Sequence, residues 1–162
     1  MKIVTVELPR IKEDETKKLI KEQILCRIAF KGKNYLYMAP FQYIYMKDTL
    51  YFYFTDYGRK MKFLEKDKRV CVEIEKYQPD MSEYNFVVLR GSIEIVNDAQ
   101  KGSRAIKKMT EDRKRKLSRN FLAANCFKKE EGLSALSPEK PLVIVRLTES
   151  VEEIGLKSPS LQ

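Results

Sequence analysis

Two rhythms run through the apolar and polar positions of this chain. In EDETKKLIKEQILC, Leu19, Ile20 and Ile24 recur near helical spacing behind the acidic residues Glu13 and Asp14, which predicts a helix. Beyond it the period shortens to two. CRIAF (26–30) reads as a strand, KGKN (31–34) as a tight turn, and YLYMAPFQYIYM (35–46) as the second strand of a hairpin. After a turn at KDT, LYFYFT (50–55) is the third strand, GRKMKFLEKD a short helix, and RVCVEIEKY (69–77) the fourth strand. A polar loop, QPDMSE, leads into YNFVVLRGSIEIVN (84–97), whose Gly91 marks a bulge or bend. The segment 98–125 is helical, with Gly102 as its candidate break point, and PLVIVRLTESVEEIGL (141–156) holds the last strand.

Six strands joined largely by tight turns favour an antiparallel sheet, and strands of this length and number close, or nearly close, into a barrel. The fold class expected is mainly β with flanking helices (α+β). At 162 residues the chain fits one domain spanning 1–162, with its core in about 24–98 plus the strand at 141–150, and a basic helical segment at 98–125.

Composition narrows the chemistry. The chain has no His, which excludes histidine bases, Ser-His-Asp triads, histidine zinc sites and a proximal-His haem. No metal site is expected, and no catalytic residue stands out. Cys26, Cys71 and Cys126 are odd in number and far apart, so free thiols are expected rather than disulfides. No apolar run reaches the ~20 residues of a membrane span, and the start lacks a secretory apolar stretch; a cytoplasmic location is expected. The net charge of +9 is uneven: residues 101–119 hold nine Lys or Arg against two acids, so +7 lies in one segment.

The sharpest local oddity is Gly58-Arg59-Lys60. A helix N-terminus carries partial positive charge and exposes N–H groups, so cations there run against the usual preference unless an anion sits on them. A mismatch of roughly 0.3–1 kcal/mol is also tolerated on a surface, so a solvated basic turn and a phosphate site both fit. Pro40, in the strand before, has no N–H to give to a ladder. It marks either an edge blunted against aggregation or a place where the sheet opens to a flat ring. In the strand between them, Tyr51 and Tyr53 face one side while Phe52 and Phe54 face the other, offering an apolar wall.

LYMAPFQY, LYFYFTDYGRK, FLEKDKRVCVEIE and YNFVVLRGSIEIVND occur in an order and spacing that resembles the FMN-binding split β-barrel family, related to pyridoxamine 5′-phosphate oxidase. The likeness is to its smaller branch, which includes nitroimidazole-resistance proteins. It runs from about Ile24 to Asp98, with a weaker echo in PLVIVRLTESVEEIGLKS. The resemblance implies a six-stranded antiparallel split β-barrel and a homodimer holding FMN at the subunit interface. It implies oxidoreductase or reductase activity on a small molecule. Carried over by position, Met38, Ala39, Pro40 and Phe41 match the strand that contacts the flavin ring. Tyr53 and Thr55 match the next strand, Arg59 and Lys60 the phosphate pair, and Asn85 a polar position near the flavin. Two features depart from the family. The His that many members of the branch carry near the position of Tyr53 or Phe54 is absent, and so is the Arg- and His-containing C-terminal signature of the vitamin B6 oxidases.

Two other readings compete. The basic 101–119 segment, as a helix, fits a nucleic-acid-binding module, although it lacks interleaved aromatics for stacking. Related split barrels use a deazaflavin coenzyme in place of FMN.

Overall fold

The computed structural model describes residues 7–56, 58–116 and 142–159. Helix α1 (Glu13–Glu22) is followed by strands β1 (Leu25–Lys31), β2 (Leu36–Gln42), β3 (Ile44–Met46) and β4 (Thr49–Thr55). Helix α2 (Arg59–Lys66), strands β5 (Arg69–Tyr77) and β6 (Tyr84–Ile95), helix α3 (Ala99–Lys116) and strand β7 (Leu142–Lys157) complete it.

All seven strands are antiparallel in one sheet of order β2-β1-β5-β6-β7-β4-β3. β2 and β3 therefore stand at opposite edges, yet only Tyr43 separates them in sequence. Laid flat, seven strands at ~4.8 Å spacing would hold these edges about 29 Å apart, whereas two residues of chain span at most about 7 Å. The sheet must curl until its edges meet at Tyr43, and this curl makes the half-open, split barrel. The single strand expected over 35–46 is thus two strands, and seven segments replace six. Pro40 lies on an edge strand, where a missing N–H is harmless.

The inside of the curl is apolar. Phe30, Phe52, Phe54, Ile28, Ile74, Val72, Val87 and Val145 are fully buried there, each supplied by the inward alternation of its strand. β6 bends at Gly91, where its register against β7 shifts. A Cβ at Gly91 would stand 2.5 Å from the Thr148 carbonyl oxygen, so only glycine allows that approach.

α1 is an ordinary helix electrostatically, with Glu13, Asp14 and Glu15 in its first turn. Its last-turn carbonyls are taken in succession. Gln23 N–H donates to Leu19 at 3.1 Å, the Tyr43 hydroxyl to Ile20 at 2.7 Å, and Lys116 Nζ to Lys21 at 2.7 Å. Leu19 and Ile20 join the main core. α3 runs unbroken through Gly102, because Asp98 caps it by accepting from the N–H groups of Gln100 and Lys101. It buries Ala105 and Met109 against Ile44 and Tyr51, on the outer side of the sheet. Residues 117–125 of the expected helix lie outside the described residues. Among the described residues, no helix is long and apolar enough to cross a membrane.

Cys26 is a free, buried thiol that burial pushes up to about 12, and Cys71 is free and half-buried. Cys126 lies outside the described residues.

Candidate functional site

β4 delivers the site. Its alternation sends Phe52 and Phe54 into the core, while Tyr51 and Tyr53 face the outer cluster under α3. The strand ends at Thr55, and within three residues the chain reaches Gly58, the N-cap of α2. Gly58 has φ of +99°, a region closed to most L-residues, and a Cβ there would meet nothing within 4 Å. The space beside the cap is open.

α2 begins without an acid in its first turn. Its first long bond runs from Lys62 N–H to the Gly58 carbonyl at 3.3 Å, which leaves the N–H groups of Arg59, Lys60 and Met61 without intrahelical acceptors. Lys60 turns back onto β4. Its Nζ donates to Thr55 Oγ1 at 3.0 Å and lies 5.6 Å from the centre of the Phe54 ring. Burial lowers its pKa below the ordinary lysine value. Arg59 is exposed. Neither cation pairs with a carboxylate among the described residues.

An aromatic wall leads from Lys60 toward β2. Phe54 and Phe41 ring centres are 5.2 Å apart, Phe41 and Phe30 5.9 Å, Phe30 and Tyr37 5.8 Å, and Tyr37 and Phe63 of α2 5.6 Å. Sequence reading pointed to aromatic walls in general but missed the part of Phe63. Only the tertiary fold brings α2 against Tyr37.

The expected site residues do not all meet. Thr55, Arg59 and Lys60 share one end of β4, and Phe41 reaches them through Phe54. On β2, Ala39 and Phe41 pair with inward Ile28 and Cys26, whereas Met38 and Pro40 pair with outward Ala29 and Arg27. These four can share one flat ligand only along the backbone of the strand. Tyr53 faces the outer cluster and not the aromatic wall. Asn85 is far from Thr55 along the sheet. Thr55 pairs with Leu142 at the start of β7, whereas Asn85 pairs with Lys157, fifteen positions further along that strand. Asn85 instead donates to Glu83 at 3.4 Å and lines a cleft of about 500 Å³ beside α1.

The arrangement can hold an anion at the α2 opening; of the rings beside it Phe30 and Phe54 are fully buried, so a flat apolar group would meet the half-buried Phe41, Tyr37 and Phe63. It offers no His, and among the described residues no cluster of three metal-binding side chains.

Known proteins give this geometry a context. The chain is similar in structure to an FAD-binding protein from Mesorhizobium loti, with a TM-score of 0.65 and 19% identity over 95% of this chain and 100% of that one. It is also similar to a conserved hypothetical protein from Mycobacterium tuberculosis, with a TM-score of 0.73 and 13% identity over 99% and 96% of the two chains. A third likeness is to a 5-nitroimidazole antibiotic resistance protein from Bacteroides thetaiotaomicron, with a TM-score of 0.62 and 14% identity over 95% and 92%. At these identities the likenesses show a shared fold. No curated protein matches the chain by sequence. The sequence pattern of the pyridoxamine 5′-phosphate oxidase family, however, matches residues 12–129, most of the chain, and the chain belongs to that family.

Proposed function

We propose that this protein binds FMN, with the flavin phosphate on Arg59, Lys60 and the free N–H groups of α2, and acts as an oxidoreductase on a small molecule. The observation that carries the reading is Lys60. Its ammonium is partly withdrawn from water, fixed by Thr55 and Phe54, and unpaired with any carboxylate among the described residues. A desolvated cation of this kind is relieved by an anion. Family membership and the flavin named for the M. loti protein support the same reading.

The residues fit the group. Gly58 leaves open space beside the N–H groups, two cations lack acid partners among the described residues, and the aromatic wall continues toward the β2 edge. FMN, when bound, supplies the electron-transfer chemistry. The chain supplies the rest. Arg59 and Lys60 anchor the phosphate, Phe41 and Phe54 keep water from one side, and the β2 backbone orients the ring. Any proton required comes from water or a residue other than His.

The reading takes the chain as one domain, cytoplasmic, and a homodimer with FMN between subunits. Asn85 reaches a ligand at the α2 opening only from a second copy. Leu36 and Met38, 78% and 64% exposed on the outer side of β2, offer apolar surface for that contact.

Extraction of the ligand from purified protein tests the cofactor. The expected result is a yellow protein that releases FMN, identified by mass. A deazaflavin or FAD would correct the cofactor and keep the site; a colourless protein that takes up no added flavin would refute the reading.

A further inference from the structure

A charged cavity lined by none of the residues of the flavin reading lies beside α1 and α3 and does not depend on that reading. It has a volume of about 230 Å³ and opens between the C-terminal ends of α1 and α3, over the strand switch at Tyr43. Among the described residues, Lys21, Lys108, Arg115 and Lys116 line it, against one acid, Asp112. That acid is shared: Lys108 Nζ lies 3.5 Å from one of its oxygens and Arg115 Nη2 2.8 Å from the other. Among the described lining residues, three positive side-chain charges remain after Asp112 is counted, more than the partial negative charge of two helix C-termini offsets.

Part of this charge has a structural use. Lys116 donates to the Lys21 carbonyl and so stitches α3 to α1. An ammonium has three donors, however, and this bond uses one. Burial, then the neighbouring Arg115 and Lys108, lower the Lys116 pKa, with Asp112 opposing. The α1 carbonyls that would repel an anion here are already satisfied by Tyr43 and Lys116. The cavity therefore presents donors and positive charge. Its size suits a compact ion: at ~30 Å³ per water, it holds the volume of about eight waters, enough for a phosphate or diphosphate group and too little for a nucleoside as well.

We propose that this α1–α3 cleft is an anion-binding site for a compact phosphate-type polyanion, either the free ion or the phosphate end of a larger ligand. Lys108 and Lys116 are its principal donors, and binding there ties α3 more tightly to α1. Such a ligand bridges two helices that, among the described residues, are joined by the Lys116 hydrogen bond to the Lys21 carbonyl, so occupancy also raises thermal stability.

The test uses the full chain and inorganic pyrophosphate as the probe, by calorimetric titration in 150 mM salt. Saturable binding at one site per chain is expected from wild-type protein. Arg59→Ala with Lys60→Ala should retain it, which separates this cleft from the proposed flavin site. Lys108→Gln, which leaves Asp112 paired to Arg115 and the α1 stitch intact, should weaken binding about fivefold, and Lys116→Met more than that. Asp112→Asn should tighten binding about fivefold, a gain that a purely structural role for Asp112 would not produce. A parallel titration with ADP separates the sources. ADP binding as tightly as pyrophosphate assigns a phosphorylated ligand, and pyrophosphate alone assigns the free ion. No saturable pyrophosphate binding at millimolar concentration, or equal binding by wild type and Lys108→Gln, overturns the proposal.

Discussion

Lys60 gathers more of the local chemistry than any other side chain in the candidate site. Thr55 fixes its ammonium and Phe54 supports it from the ring face. Thr55→Val keeps the shape and removes the oxygen, and about three- to tenfold weaker FMN binding is expected, matching loss of one hydrogen bond of ~1 kcal/mol. Burial holds Lys60 below the ordinary lysine pKa in the free protein, and a phosphate would raise it in the complex. The group then takes up a proton on binding once pH exceeds its free-protein pKa. FMN affinity should therefore be full below that value and decline as pH rises through it. Lys60→Arg, which keeps its charge, should flatten the decline; an unchanged profile would remove Lys60 from the phosphate site. Asp67 titrates in the opposite range. Its carboxyl accepts from the Arg69 side chain and backbone N–H, which holds it well below the usual carboxylate value. With the folded pKa depressed, its contribution is present above the unfolded value of about 3.9 and is lost as pH falls through the folded one. The stability gap between wild type and Asp67→Asn, followed by chemical denaturation, should hold steady from pH 5 to 7 and shrink below about 4.

At the scale of elements, Tyr43 joins the two edges of the sheet and caps α1 at once. Tyr43→Phe leaves the Ile20 carbonyl without its donor in a buried place, and a loss of about 1–3 kcal/mol in unfolding free energy is expected. Met109→Ala, under the outer cluster, should cost about 2–5 kcal/mol by opening a cavity between α3 and the sheet. A loss under ~0.5 kcal/mol in either case would mean the contact is not maintained in solution.

These two positions also mark where sequence reading succeeds and where it stops. The alternation of β4 placed Phe52 and Phe54 opposite Tyr51 and Tyr53, the Gly91 signal found the β6 bend, and of the two readings Pro40 allowed, an edge or an opened strand, β2 is an edge. Each of these is written in a local pattern. The break at Tyr43 was not legible, because YLYMAPFQYIYM keeps a strand's alternation throughout and only long-range pairing assigns its halves to different partners. Gly102 misled in the other direction: an Asp98 cap and packing by Ala105 and Met109 outweigh a glycine cost of about 1 kcal/mol. In the candidate site, the cations at Gly58 were visible as a charge anomaly. The grip of Thr55 on Lys60 and the distance of Asn85 were not, since both depend on how β4, β6 and β7 are arranged in three dimensions.

For the whole molecule, a sheet closed only at Tyr43 leaves β2 as an open edge with exposed apolar residues, and it leaves Asn85 remote from the α2 opening. Both features have one resolution if two copies meet along that edge and share the flavin. Mass measurement in solution should then give a dimer. Leu36→Lys with Met38→Lys should shift it toward monomer and weaken flavin binding together, whereas a monomer with full flavin affinity would separate the two. The central claim, a flavin phosphate held at the start of α2, is tested most directly by FMN titration of two double variants. Arg59→Ala with Lys60→Ala should bind FMN about 100-fold more weakly than wild type, from two charge-assisted contacts of ~1.5 kcal/mol each, while Lys66→Ala with Lys68→Ala should stay within about threefold. Equal losses in the two variants would contradict it, because diffuse positive charge, and not a phosphate site at Gly58, would then account for binding.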